Sequence, residues 1–232
     1  MGLKKEKKLF QQARRKLITN DNPRSPISEQ FRTIRTNIQF SSVDKELRTI
    51  MVTSSVPGEG KSTAAANMAV VFAQQGREVL LVDADLRKPT VHYTFDLINT
   101  FGLTSVLSQK SSLAEAAKKT EIDHLSVLPS GPLPPNPAEM LDSKAMREFM
   151  DEAADKYELI IFDTPPVLAV TDAQVLSNVC DGIVLVVSSG STEVAAAKKA
   201  KELLVSAKSN IIGTILNRRK MKSENYYYYY GT

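Results

Sequence analysis

The run Ser55-Val56-Pro57-Gly58-Glu59-Gly60-Lys61-Ser62-Thr63 limits this chain more than any other stretch of its 232 residues. A β-branched segment, 49–53, leads into it, and a helical pattern over 61–75 leads out. A strand that turns through closely spaced glycines into a helix opening with Lys-Ser-Thr is the context a phosphate-binding loop requires. In such a loop Pro57, Gly58, Glu59, Gly60, Lys61, Ser62 and Thr63 surround the phosphates of a nucleotide, ATP being the ordinary one. Lys61 reaches the β and γ phosphates and Ser62 ligates Mg²⁺. Ser55 departs from the pattern, which has glycine there; a small residue fits the place.

The rest of the chain repeats the strand-to-helix alternation. Short apolar segments at 49–53, 79–82, 125–128, 159–162, 183–187 and 211–216 alternate with helical patterns at 61–75, 143–156, 172–179 and 192–207. Near-continuous apolar strands separated by helices predict an α/β fold: a mostly parallel sheet with helices on both faces, of the P-loop NTPase type. Ahead of the unit, Ser25 and Pro26 start a separate N-terminal helix running to about Phe40. On it Glu29, Arg32 and Arg35 are three apart, a spacing that puts them on or near one face and suits either a solvated face or a contact face for a second subunit.

Two acidic clusters close strands that can meet the phosphates. Asp163 ends the run 159–162 as a Walker B carboxylate would. Asp83 and Asp85 follow the run 79–82, and in extended backbone they share a side. One P-loop site needs a single Walker B carboxylate, so this pair supplies a further metal contact or a general base.

Charge is unevenly distributed. The formal net charge is +4, yet residues 1–16 carry +6 and residues 217–225 carry +3, leaving −5 for the body between. An acidic body speaks against a broad nucleic-acid face, and no specific nucleic acid is expected. The basic ends suit solvated tails or an anionic membrane surface. One cysteine, Cys180, excludes an internal disulfide and points to a reducing compartment. No apolar run approaches the roughly 18–20 residues of a membrane span, and no apolar segment of a secretory signal follows the first lysines. Five of the seven tyrosines, Tyr226, Tyr227, Tyr228, Tyr229 and Tyr230, are consecutive near the end, which predicts a flexible low-complexity tail offering phosphate acceptors. The expected organisation is a basic segment 1–24, a catalytic domain 25–217 and a basic, tyrosine-rich tail 218–232.

From about Ser25 onward these motifs, taken in order, resemble the bacterial tyrosine kinases (BY-kinases) of capsule and exopolysaccharide assembly. They are Glu29, Arg32 and Arg35, the loop to Ser62, the Walker A′ signature Asp83-Ala84-Asp85-Leu86-Arg87, Asp163, and the tyrosine cluster. The resemblance implies an ATP-dependent protein-tyrosine kinase that phosphorylates its own tail in trans. It also implies phosphate binding by Lys61, Mg²⁺ held by Ser62, Asp85 and Asp163, and Asp83 as base, with the roles of Asp83 and Asp85 exchangeable. Asn217 resembles the asparagine that related ATPases set against adenine. The Glu29, Arg32 and Arg35 motif implies a ring-like homo-oligomer. Further implied partners are a transmembrane modulator that activates the kinase, protein tyrosine substrates and a cognate tyrosine phosphatase. The expected location is cytoplasmic, recruited to the inner membrane face through the modulator. The nearest alternative is an ATP-driven dimerisation switch of the septum-positioning or partition type; those proteins carry a lysine where this chain has Val56.

Overall fold

The structure is a computed structural model that describes residues 16–41 and 46–219. Two helices, α1 (Ile18–Asp21) and α2 (Pro26–Phe40), precede the alternating unit. Its order is β1 (Thr49–Ser54), α3 (Lys61–Ala73), β2 (Val79–Asp83), α4 (Val91–Thr94), α5 (Leu103–Leu107), α6 (Leu113–Ala116), β3 (Lys118–Lys119) and β4 (Leu125–Leu128). Then come α7 (Pro137–Leu141), α8 (Lys144–Lys156), β5 (Leu159–Asp163), α9 (Asp172–Ser177), β6 (Gly182–Ser188), α10 (Val194–Ser206) and β7 (Ile211–Asn217).

The strands form one sheet in the order β3-β4-β2-β5-β1-β6-β7, parallel except for the short β3. Strict alternation divides each central strand between two cores. Met51, Leu80, Val82, Ile160, Phe162, Ile183 and Leu185 pack on one face, under α5 to α10. Ile50, Val52, Leu81, Ile161, Val184 and Val186 pack on the other, under α2 and α3. Both faces are covered, which is why these strands read as unbroken apolar runs rather than alternating ones.

Helix α3 is buried around nearly its whole circumference, from Ala64 to Ala73. Its small side chains let it lie between the sheet and α2. Ser25 caps α2 by accepting from Ser28 N–H at 3.1 Å, with Pro26 in the first turn, as the sequence predicts. Asn67 of α3 reaches back to α1, accepting from Thr19 N–H at 3.0 Å and Thr19 Oγ1 at 2.9 Å. The N-terminal helices therefore buttress the helix that the phosphate loop opens. No helix of the described residues is long and apolar enough to cross a membrane. The tyrosines 226–230 and the basic residues 1–15 lie outside the described residues.

Candidate functional site

The C-terminal ends of β1, β2 and β5 converge because the sheet order places β5 between the other two. In that register Asp83 lies directly opposite Asp163, and Val52 lies opposite Asp163 on the other side. The loop 55–60 leaves β1 at the same level. Gly58 at φ +87° and Gly60 at φ +95° both occupy the left-handed region that glycine tolerates without strain. A Cβ at Gly60 would also lie 2.1 Å from Asn217 Nδ2, so that side chain would have to move.

Lys61 Nζ sits between two carboxylates, donating to Asp85 Oδ2 at 3.0 Å and to Asp163 Oδ1 at 3.1 Å, with Ser62 Oγ 3.3 Å away. All three charged side chains are nearly or fully buried. Burial opposes the Lys61 ammonium, but Asp163 and Asp85 outweigh it and hold its pKa above the ordinary lysine value. Burial also pushes Asp163 upward, against the pull of Lys61.

Asp83, at the end of β2, is fully buried. Burial, reinforced by the Asp163 charge across the strand pair, pushes its carboxyl up to about 8. Its Oδ2 accepts from Thr90 and Val91 N–H, each at 2.9 Å, while Oδ1 has only a 3.3 Å contact from Asp85 N–H. Asp85 Oδ1 accepts from Lys88 N–H at 3.0 Å, leaving Oδ2 to Lys61.

Asp163 Oδ2 is buried and accepts no hydrogen bond, a polar atom suited to a cation or its water shell. Among the described residues no cluster of three His, Cys, Asp or Glu side chains forms a metal cage of its own. Ser62, Asp85 and Asp163 instead offer one hydroxyl and two carboxylates. That partial shell fits Mg²⁺, which fills its octahedron with nucleotide phosphates and water.

The structure gives the loop internal bracing that the sequence reading did not foresee, since the side chain of Glu59 does not face the phosphates. Glu59 turns inward and is nearly fully buried. Its Oε2 accepts from Ser55 N–H at 2.6 Å and Val56 N–H at 3.0 Å, and its Oε1 accepts from Thr192 Oγ1. Asn217 Nδ2 donates to the Glu59 carbonyl at 2.8 Å. The ends of β6 and β7 thus brace the phosphate loop. The sequence signal was an acidic residue inside an anion-binding loop, a misfit that needs internal donors. Arg87 forms a bidentate pair with the buried Asp172, Nε at 2.9 Å and Nη2 at 3.0 Å.

On α2 the three motif residues divide. Arg32 pairs with Glu29 and donates to the Pro23 carbonyl at 2.8 Å. Arg35 turns to its own chain, donating from Nη1 to the Val71 carbonyl of α3 at 2.8 Å. Glu29 stays half exposed, at 55% of its side chain.

A parallel sheet covered on both faces, with a glycine-bent phosphate loop and an acidic cluster at the strand ends, defines a P-loop nucleotide-binding domain. Residues 47–209 match the family model described as an AAA domain. Tyrosine-protein kinase YwqD of Bacillus subtilis is 58% identical over 218 residues, covering 94% of this chain and 92% of that protein. Among solved structures, the chimerical protein CapA2B2 superposes with a TM-score of 0.86 at 45% identity, covering 90% of this chain and 93% of that one. The kinase domain of the Escherichia coli tyrosine kinase ETK gives 0.83 at 32% identity, covering 89% and 83%. The chain belongs to the bacterial tyrosine-protein kinase family. A septum site-determining protein, MinD of Pyrococcus horikoshii, complexed with Mg-ADP, lies further off, with a TM-score of 0.62 at 25% identity over 78% of this chain and 76% of that one. The kinase reading therefore outranks the dimerisation switch.

Proposed function

We propose that this protein transfers the γ-phosphoryl group of ATP to protein tyrosine, its own tail included, with Asp83 as base. The observation that carries the reading is the buried carboxylate of Asp83, raised to about 8, one residue pair across from Asp163 and beside the carboxylate that Lys61 holds. A tyrosine hydroxyl titrates near pH 10, and a base works best when its pKa lies close to the working pH. The lightly held Oδ1 of Asp83 is the oxygen that takes the proton. As the tyrosine oxygen bonds to the γ-phosphorus, the bond to the β,γ-bridging oxygen breaks in line, and ADP leaves. Lys61 releases Asp85 and Asp163 and turns to the phosphates, where its ammonium balances the developing charge. Ser62, Asp85 and Asp163 would hold Mg²⁺, which supplies charge neutralisation of the phosphates.

Asn217 braces Glu59 and Gly60 from the end of β7, so its contact with adenine would be made beside the loop it supports. The five tyrosines follow β7 after a short basic run and are the clustered acceptors of the sequence. Trans transfer fits a homo-oligomeric ring in which Glu29, with Arg32 and Arg35 behind it, meets a neighbouring subunit. The names of the relatives suit control of capsule or exopolysaccharide synthesis. The same reading includes a transmembrane modulator that recruits the kinase from the cytoplasm to the membrane, and a cognate phosphatase that resets the tail. Phosphorylation adds about −1.5 to −2 per tyrosine, turning the tail anionic and weakening the ring. Light scattering before and after full phosphorylation tests that switch; an unchanged oligomer refutes it.

A further inference from the structure

The segment that follows Asp85 is fastened to the segment that follows Asp163 through one side-chain pair. Both nitrogens of the Arg87 fork reach the Asp172 carboxylate, at 2.9 and 3.0 Å. Asp172 is fully buried at the start of α9, whereas Arg87 keeps 42% of its side chain exposed. The pair is strong enough to raise the Arg87 pKa, chiefly through the hydrogen bonds to Asp172. A long side chain that leaves part of itself in water to satisfy one buried carboxylate is held in place by that carboxylate.

The pair also closes a circuit. Val167 N–H donates to the Ser54 carbonyl at 2.8 Å and Leu168 N–H to the Ser55 carbonyl at 3.2 Å, so the chain between Asp163 and α9 is tied to the start of the phosphate loop. From α9 the path runs through Asp172 to Arg87, two residues from Asp85, and from Asp85 through Lys61 back to the loop. Asp83 fixes the far end of the 84–91 turn through Thr90 and Val91. Remove the Arg87–Asp172 link and Asp85 keeps Lys61 and the Lys88 N–H but its turn loses the tie to α9, while Asp163 stays anchored in β5.

We infer that Arg87 and Asp172 are positioning residues that set the separation of Asp85 from Asp163, and so the Mg²⁺ dependence of nucleotide binding. The inference rests on the nucleotide site proposed above. Neither residue touches the phosphates on this account; both act through Asp85. Partners behind the ligands of a metal typically change its affinity 10- to 100-fold when altered.

The test uses Arg87→Lys, which keeps the charge but loses the fork, and Asp172→Asn, which keeps the shape but loses the charge. The full-length chain is titrated with a fluorescent ADP analogue in EDTA and then in rising Mg²⁺. Kinase assays at saturating ATP follow the same Mg²⁺ series. Expected are an Mg²⁺ requirement shifted upward about 10- to 100-fold and ADP affinity in EDTA within about threefold of the parent, since Lys61 and the loop amides are untouched. The double variant should lose no more than the weaker single variant, because both changes break one link. Equal loss with and without Mg²⁺ would make the pair a fold brace only, and an unshifted Mg²⁺ requirement would equally overturn the inference. A parent chain that binds no nucleotide sinks the underlying site instead, which keeps the two failures distinct.

Discussion

Replacing Lys61 by methionine removes more than a phosphate contact. Its ammonium is shared by Asp85 at 3.0 Å and Asp163 at 3.1 Å, and the side-chain exposures are 12%, 8% and 0% for Lys61, Asp85 and Asp163. Each contact is worth about 5 kcal/mol of attraction at an effective dielectric of 20. Most of that is offset by returning the lysine charge to water in the wild-type unfolded chain. Breaking a buried pair by deleting one partner destabilises by about 3–5 kcal/mol, because the remaining charge stays buried without a partner. For a chain of this size that is roughly 6–20 °C in Tm. The loss must depend on pH. Asp163 and Asp83 already titrate higher folded than unfolded, and the Lys61 charge pulls both the other way, for Asp83 behind the Val91 N–H. Without it their folded pKa values rise further, so the folded variant binds protons that the unfolded chain releases. Stability of the variant then falls relative to wild type as pH climbs above the ordinary aspartate range. Urea unfolding of Lys61→Met and wild type at pH 5.5 and pH 8 should show the larger gap at pH 8. A gap under about 1 kcal/mol at pH 8, or one equal at both pH values, would refute the buried-pair reasoning.

Other consequences are as direct. Asp83→Asn should lower phosphoryl transfer about 10²- to 10⁴-fold while raising Tm by about 2–6 °C at neutral pH, because folding no longer has to protonate a carboxyl that the unfolded chain ionises; differential scanning fluorimetry beside a kinase assay checks both signs. Transfer at saturating Mg-ATP should rise with pH toward about 8 as Asp83 loses its proton, and a flat profile from pH 6.5 to 9 would exclude it as the base. Gly60→Ala adds a Cβ 2.1 Å from Asn217 Nδ2 at a positive φ, so it should weaken nucleotide binding and lower stability by about 1–3 kcal/mol, measured by nucleotide titration and urea melts. Changing all five of Tyr226–Tyr230 to phenylalanine should abolish most self-labelling by ATP; full labelling would place the acceptors elsewhere.

The parallel sheet, the glycine-bent loop and the three acidic positions were legible because each rests on local pattern: unbroken apolar strands, glycines at positive φ, and carboxylates at strand ends. Several strand bounds agree to within a residue, whereas α9 ends at Ser177 rather than near 179 and α10 starts at Val194 rather than 192. Short helices such as α5 and α6 escaped because four or five residues carry no period, and Gly102 and Ser112 reveal their turns only through tertiary or capping contacts. What could not be read was register. Nothing local says that Asp83 lies opposite Asp163, that Glu59 bends back onto Ser55 and Val56, or that Arg87 reaches Asp172 across 85 positions of sequence. Arg35 shows the same limit: its spacing assigns it to the face of Glu29 and Arg32, while packing of α2 on α3 turns it to the Val71 carbonyl.

The most direct test follows radiolabelled phosphate from γ-labelled ATP onto the purified chain, with and without the cytoplasmic segment of the proposed modulator. Wild type should carry acid-stable label on tyrosine, and Asp83→Asn should retain ADP binding but carry almost none. Label on tyrosine at wild-type rates in Asp83→Asn, or ATP hydrolysis by wild type without any phosphotyrosine, would contradict the account.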